Sequence, residues 1–144
     1  SRRTSQQFFA GKSYVTNDFR AESAIAETYG YSLTHIFSPR LKGSFFATVL
    51  DSEPITGSFE GHSEVFALTF DYRPFDYTQV TFGASYEEQT SRGSIRGTVL
   101  DRWLYFIRLE QQIASRTTLL ATIQYEDSLE FTEHLYSVGV RRYF

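Results

Sequence analysis

Large apolar residues recur at every second position along most of this chain, and the residues between them are small, polar or charged. A period of two is the spacing at which successive side chains of a β-strand point to opposite faces of a sheet. The alternation therefore predicts strands. These strands are expected near residues 18–37, 40–51, 63–72, 77–87, 98–113, 117–127 and 134–144.

The breaks between these strands are alternately short and long. Short breaks are predicted at Phe37–Leu41, Tyr72–Tyr77 and Ala114–Thr118, and longer polar breaks at Asp51–His62, Glu87–Gly97 and Asp127–Glu133. Pro39 and Pro74 suit turn positions, because the proline ring presets φ. This rhythm is typical of an outer-membrane β-barrel, in which short periplasmic turns alternate with longer external loops.

Bacterial barrels formed by a single chain contain an even number of strands. A further strand is therefore expected within residues 1–14, followed by a loop from Gly11 to Asn17. The 18–37 segment is longer than the roughly 9–11 residues that one crossing needs. Either its outer part projects beyond the bilayer or it contains a turn. The predicted fold class is all-β, an antiparallel up-and-down transmembrane β-barrel of about eight strands in one domain spanning residues 1–144.

The composition excludes several classes of protein, among them helical membrane proteins. Aromatic residues make up 17% of the 144 residues, yet the mean hydropathy is −0.32, and no apolar run approaches the roughly 20 residues of a spanning helix. The net charge is −3, with Lys and Arg spread along the chain, so no nucleic-acid partner is expected. The chain contains no Cys, which excludes a disulfide framework and a thiolate metal site.

In a membrane barrel, the apolar members of each alternating pair face lipid and the others face the lumen. The residues expected to face lipid are Phe66, Leu68, Phe70, Val80, Phe82, Trp103, Tyr105, Ile107, Leu109, Leu119 and Ile123. Those expected to face the lumen are Asp71, Arg102, Arg108, Glu110, Gln124, Glu126 and Arg141. Inside a barrel of eight strands, charges of mixed sign would form a satisfied polar plug, because such a barrel has room for side chains but not for a channel.

The last residues, "YSVGVRRYF", resemble the C-terminal signal of bacterial outer-membrane proteins, which ends on an aromatic residue. The resemblance implies that the barrel-assembly machinery reads Tyr136, Val138, Val140 and Phe144. Arg142 departs from the apolar pattern, but a long cation can snorkel to the headgroups.

Two segments, "FDYRPFDYTQVTFGASYEEQTS" and "DRWLYFIRLEQQIASRTTLLATIQYED", are similar to hairpins of the β-barrel porin type. Porins of that type are usually longer than this chain, which would make it the C-terminal part of a larger barrel. Small eight-stranded outer-membrane barrels instead match its length. Both interpretations stay open at this point.

No catalytic, cofactor or metal site is predicted. His134 and Ser137 are three residues apart on a strand and so point to opposite faces, unlike the His-x-Ser spacing of the small outer-membrane lipid A deacylases. Glu87, Glu88, Glu130 and Glu133 are interpreted as solvated loop acids. The acids Asp51, Glu53 and Glu60 could touch divalent ions at lipopolysaccharide, but their spacing matches no defined ligand set.

The sequence thus predicts a non-enzymatic integral protein of the bacterial outer membrane with a structural, anchoring or loop-presenting role. An alternative is a porin-like or export pore of which the chain is the C-terminal segment, and the strand count discriminates between the two. A second alternative is a soluble β-barrel that binds a hydrophobic ligand. In such a barrel the aromatic residues would face the lumen and the charged residues would face the solvent outside. The expected partners are outer-membrane lipid, lipopolysaccharide, the barrel-assembly machinery during biogenesis and other outer-membrane or periplasmic subunits.

Overall fold

The computed structural model describes residues 3–17, 22–56, 60–92 and 98–143. They form eight strands, and the bounds of these strands are β1 Thr4–Asn17, β2 Glu22–Ser38, β3 Leu41–Thr56, β4 Glu60–Phe75, β5 Thr78–Arg92, β6 Thr98–Ala114, β7 Thr117–Ser128 and β8 Thr132–Arg142. In these described segments, no helix is long and apolar enough to cross a membrane.

All eight strands belong to one sheet, and their order in the sheet is their order in the sequence. Each strand pairs antiparallel with the next, from β1 with β2 to β7 with β8. The predicted antiparallel up-and-down fold of about eight strands is therefore confirmed. Within the described segments β1 and β8 do not pair with each other, so the sheet has two open edges.

Tight turns connect alternate pairs of strands on one end of the sheet, which we call the turn side. These turns occupy residues 39–40, 76–77 and 115–116, and all three lie in the predicted short breaks. Backbone hydrogen bonds connect these turns to the adjacent strands. The Arg73 backbone amide donates to the Arg40 carbonyl at 2.8 Å, and the Gln112 backbone amide donates to the Tyr77 carbonyl at 2.8 Å. The opposite end, with the longer connections, is the loop side.

One prediction about the first hairpin was wrong. The expected loop from Gly11 to Asn17 is part of β1, because the residues from Gly11 onward pair in unbroken register with β2. Of the predicted 18–37 segment, residues 22–37 lie in one strand, β2, so no turn interrupts that part, and residues 18–21 lie outside the described residues. Glycine and polar residues signalled a loop in the sequence, but a ladder of backbone hydrogen bonds tolerates them where no apolar layer must cover the strand.

Several strands continue past their predicted ends toward the loop side. The predicted loop that begins at Asp51 starts as strand, and β3 runs on through Pro54. A register shift opposite Ser23 and Ala24 accommodates this proline, which lacks the N–H that a regular ladder requires.

The sheet is a single layer with very little buried apolar core. Among the described hydrophobic residues only Ala24 and Ala26 are buried. Gaps left by glycines are filled by rings from adjacent strands, because Phe9 covers Gly30 and Phe106 packs beside Gly83. Packing of this kind stabilises the sheet along its surface and does not require a second layer behind it.

Candidate functional site

One face of the sheet, here called the apolar face, carries every residue that was predicted to face lipid. The register aligns them in cross-strand rows, so that Phe82 lies between Phe70 and Ile107, and Ile107 in turn pairs with Ile123. The full set is Phe66, Leu68, Phe70, Val80, Phe82, Trp103, Tyr105, Ile107, Leu109, Leu119 and Ile123. Many of these side chains are exposed, with Ile107 at 54%.

Aromatic rings mark both ends of the apolar face. Toward the loop side, the Trp103 ring lies 4.9 Å from Tyr86 and 6.0 Å from Tyr105, measured between ring centroids. On the turn side, the rings of Phe75 and Tyr77 stack at 5.7 Å. Aromatic rings at two levels of a sheet are the arrangement found at the two interfaces of a membrane.

A charged cluster lies on the same face, loop-ward of the aromatic rows and outside the apolar band. The His62 Nδ1 atom lies 2.6 Å from a carboxylate oxygen of Asp51, and its Nε2 atom lies 3.1 Å from one of Glu64. The hydrogen bond to Asp51, followed by that to Glu64, raises the pKa of the His62 imidazole above its ordinary value. His62 therefore connects two acids on β3 and β4.

A second loop-side cluster joins β1 to β2. Lys12 Nζ donates to Glu27 at 2.7 Å, and the Tyr29 hydroxyl donates to the other Glu27 oxygen at 2.9 Å. The bond from Lys12 is the largest contribution to the lowered pKa of the Glu27 carboxyl. This cluster also lies loop-ward of the apolar rows, and its hydrogen bonds favour the charged form of Glu27.

The opposite face, here called the polar face, carries every residue that was predicted to face the lumen. By register these are Asp71, Arg102, Arg108, Glu110, Gln124, Glu126 and Arg141. Asp71 accepts a hydrogen bond from the Thr81 hydroxyl at 2.8 Å. Side chains with hydroxyl, amide or charged groups dominate this face, which suits contact with water.

Arg102 is the centre of an ion-pair network on the loop-side half of the polar face. Its guanidinium contacts the carboxylate of Glu87 on β5, and its Nη1 atom lies 3.4 Å from Glu126 on β7. Three adjacent strands are thus connected through one cation. The interpretation of Glu87, Glu88 and Glu133 as loop acids was wrong, because Glu87 and Glu88 lie in β5 and Glu133 lies in β8.

The three histidines lie apart and have different partners. His35 Nδ1 lies 2.7 Å from the Thr4 hydroxyl, and the ring of His134 lies 4.9 Å from that of Tyr125. The register places His134 and Ser137 on opposite faces of β8. In the described part of the chain, no group of three or more His, Cys, Asp or Glu side chains could hold a metal ion.

The residues of the C-terminal resemblance lie on the edge strand. Tyr136, Val138 and Val140 are on the apolar face of β8 and are highly exposed, Val138 at 78%. Phe144 lies outside the described residues. Their role as an assembly signal stays a prediction.

No family model matches the chain. A search of curated proteins likewise finds no match. Among solved structures, the chain is similar to a loop L8 deletion mutant of OmpT, an outer membrane protein of Vibrio cholerae, with a TM-score of 0.74 and 14% sequence identity. The alignment covers 96% of this chain and 49% of that chain, so this chain spans about half the length of the structure that it matches. The predicted fold class is thereby confirmed, since the eight-stranded sheet has the fold of an outer-membrane β-barrel.

Proposed function

We propose that this chain forms part of the wall of a β-barrel pore in the bacterial outer membrane. In this proposal the apolar face contacts lipid and the polar face lines a water-filled lumen. The observation that carries the proposal is an open sheet of eight strands that aligns with half of a longer outer-membrane protein. Among the functions predicted from the sequence, this corresponds to the porin-like or export pore.

The open edges of the sheet at β1 and β8 support a barrel with more than these eight strands. In hydrocarbon, each unpaired backbone N–H or C=O group costs several kcal/mol, so a membrane sheet must pair both edges. In the described segments each edge strand, β1 or β8, pairs on one side only, so further up-and-down strands can join the sheet at either edge. A barrel of eight strands is filled by side chains, whereas about 16–18 strands leave an aqueous channel.

The side chains of the two faces support the proposal that the apolar face contacts lipid and the polar face lines the lumen. Rows of exposed apolar side chains, such as Ile107 and Ile123, are costly in water and are covered by acyl chains in a bilayer. The cluster of Asp51, His62 and Glu64 lies beyond these rows, at the level expected for headgroups. Outer-membrane lipid and lipopolysaccharide are accordingly the proposed surroundings, and the assembly machinery that reads Tyr136, Val138, Val140 and Phe144 is a proposed partner during biogenesis. The anchoring role and the lack of enzymatic activity stay predictions.

The test is the conductance of the purified chain in a planar bilayer, with its mass in detergent measured on the same sample. We expect stepwise open conductance from an assembly larger than the monomer, because eight strands alone do not enclose a channel. A monodisperse monomer that inserts and conducts nothing would contradict the pore and favour the anchoring role.

A pair of single-cysteine variants tests which face lines the pore. The chain contains no cysteine, so Ser85→Cys on the polar face and Ala84→Cys on the apolar face each introduce a unique thiol. A charged, membrane-impermeant thiol reagent should change the conductance of the Ser85→Cys variant only. A change in the Ala84→Cys variant alone would indicate inverted faces, as in the soluble barrel that binds a hydrophobic ligand.

A further inference from the structure

The charged residues of the polar face differ between its two ends. On the loop-side half, the guanidinium of Arg102 contacts the carboxylates of Glu87 and Glu126. On the turn-side half, Arg108 forms no ion pair or hydrogen bond with another side chain in the described part of the chain. The turn-side half therefore presents a guanidinium whose five donors are available to a ligand.

Arg108 lines a cavity of about 340 Å³ that spans β6, β7 and β8 on this half. Arg108, Thr122 and Ser137 form one cross-strand row, and Gly139 and Arg141 follow Ser137 along the same face of β8. Glu110 and Leu120 complete the polar-face lining. Two guanidinium groups and two hydroxyl groups thus surround the same space.

Gly139 lines this cavity and contributes no side chain to fill it. A Cβ atom built at Gly139 meets no heavy atom within 4 Å, whereas Phe106 fills the corresponding gap at Gly83. The hydroxyl groups of Thr122 and Ser137 form no hydrogen bond with another side chain in the described segments. Arg141 has a hydrogen bond with Tyr143 and interacts electrostatically with Glu110. The two arginines and this carboxylate leave one positive charge in excess around the cavity.

We propose that this cavity is a subsite for the oxyanion group, phosphate or carboxylate, of a small solute in the lumen. Guanidinium groups bind such oxygens through paired charge-assisted hydrogen bonds, and hydroxyl donors complete the shell. The subsite rests on the proposed pore for its access to solute. A solute that bears one phosphate or carboxylate would neutralise the excess charge on the wall.

The test measures binding of inorganic phosphate to the detergent-solubilised chain by ³¹P NMR line broadening, with acetate as a competitor. Because this measurement requires no conductance, a failed pore and a failed subsite give different results. We expect Arg108→Gln and Arg141→Gln each to weaken phosphate binding about tenfold, since each removes one charge-assisted contact. Lys42→Gln, an equal change of charge on the same face at β3, should leave binding unchanged and serves as the control.

Gly139→Val separates the shape of the cavity from its charge. The added side chain meets open space, so the fold should be retained, but it fills the cavity while both arginines remain. We expect phosphate binding to fall as far as in Arg108→Gln, and acetate to compete with phosphate in the wild-type chain. Binding that is equally weakened by Lys42→Gln, or unaffected by both Arg108→Gln and Gly139→Val, would overturn the subsite.

Discussion

The apolar and polar faces of the sheet are built from the same strands but are stabilised in different ways. On the apolar face, side chains such as Ile107 contact neighbours of their own row and remain exposed. On the polar face, groups such as Arg102 reach across strands to partners of opposite charge. The difference indicates that the apolar face depends on what surrounds the protein, whereas the polar face carries its own network of contacts.

The largest test of this comparison is a charge placed on the apolar face. We expect Ile107→Arg to lower the free energy of unfolding in lipid vesicles by about 2–4 kcal/mol, the cost of a cation near the midplane of the bilayer. Ser85→Arg, on the polar face, should cost far less, because its guanidinium reaches water. Equal losses in chemical unfolding experiments would contradict the assignment of the two faces.

The glycines of the polar face give the next test. We expect Gly83→Ala to cost about 1–3 kcal/mol of folding free energy, because the added Cβ meets the Leu68 carbonyl and the Phe106 ring. Gly139→Ala should be close to neutral, since nothing lies within 4 Å of its Cβ position. Denaturant midpoints of the two variants measure this contrast. If they shift equally, ring packing over Gly83 does not stabilise the sheet.

The Arg102 network should matter more for the lumen than for stability. Its side chain is 38% exposed, so solvent screening limits the loss in Arg102→Gln to about 1 kcal/mol or less. Glu87 and Glu126 would then lack their shared cation, and the pore should become more selective for cations. Reversal potentials in a salt gradient measure this shift. A similar shift in Lys42→Gln, on the same face, would show that the effect is not local to Arg102.

The smallest expected effect concerns pH on the loop side of the apolar face. Because folding raises the pKa of His62, its contribution to stability is fully present below the ordinary histidine pKa and is lost as pH rises through the raised value. His62→Gln should remove this pH dependence in the window that begins at the ordinary histidine pKa and extends upward. Comparison of unfolding midpoints across that window checks the effect, and an unchanged slope in the variant would exclude His62 as its source.

The sequence predicted the faces more accurately than the ends of the strands. Every predicted lipid-facing residue shares one face with Ile107, and every predicted lumen-facing residue shares the other with Arg108. The first hairpin was misjudged, because Gly11 and its polar neighbours lack an apolar period although they pair with β2. Glu87 was placed in a loop for the same reason. The residue at which a strand ends depends on how far its partner strand continues to pair with it. The hydropathy pattern of one strand does not predict the length of that pairing.

The sequence by itself determined the eight strands, their up-and-down order and the composition of each face. These properties follow from covalent geometry, because alternation along a strand decides which side chains share a face, and short turns make neighbouring strands pair. Only the tertiary structure decided which charges meet, as in Arg102 with Glu87 and Glu126, and His62 with Asp51 and Glu64. The cavity around Gly139 and the open edges at β1 and β8 were likewise decided there. Such contacts depend on the register between strands, which is set by the hydrogen-bonded ladder as a whole.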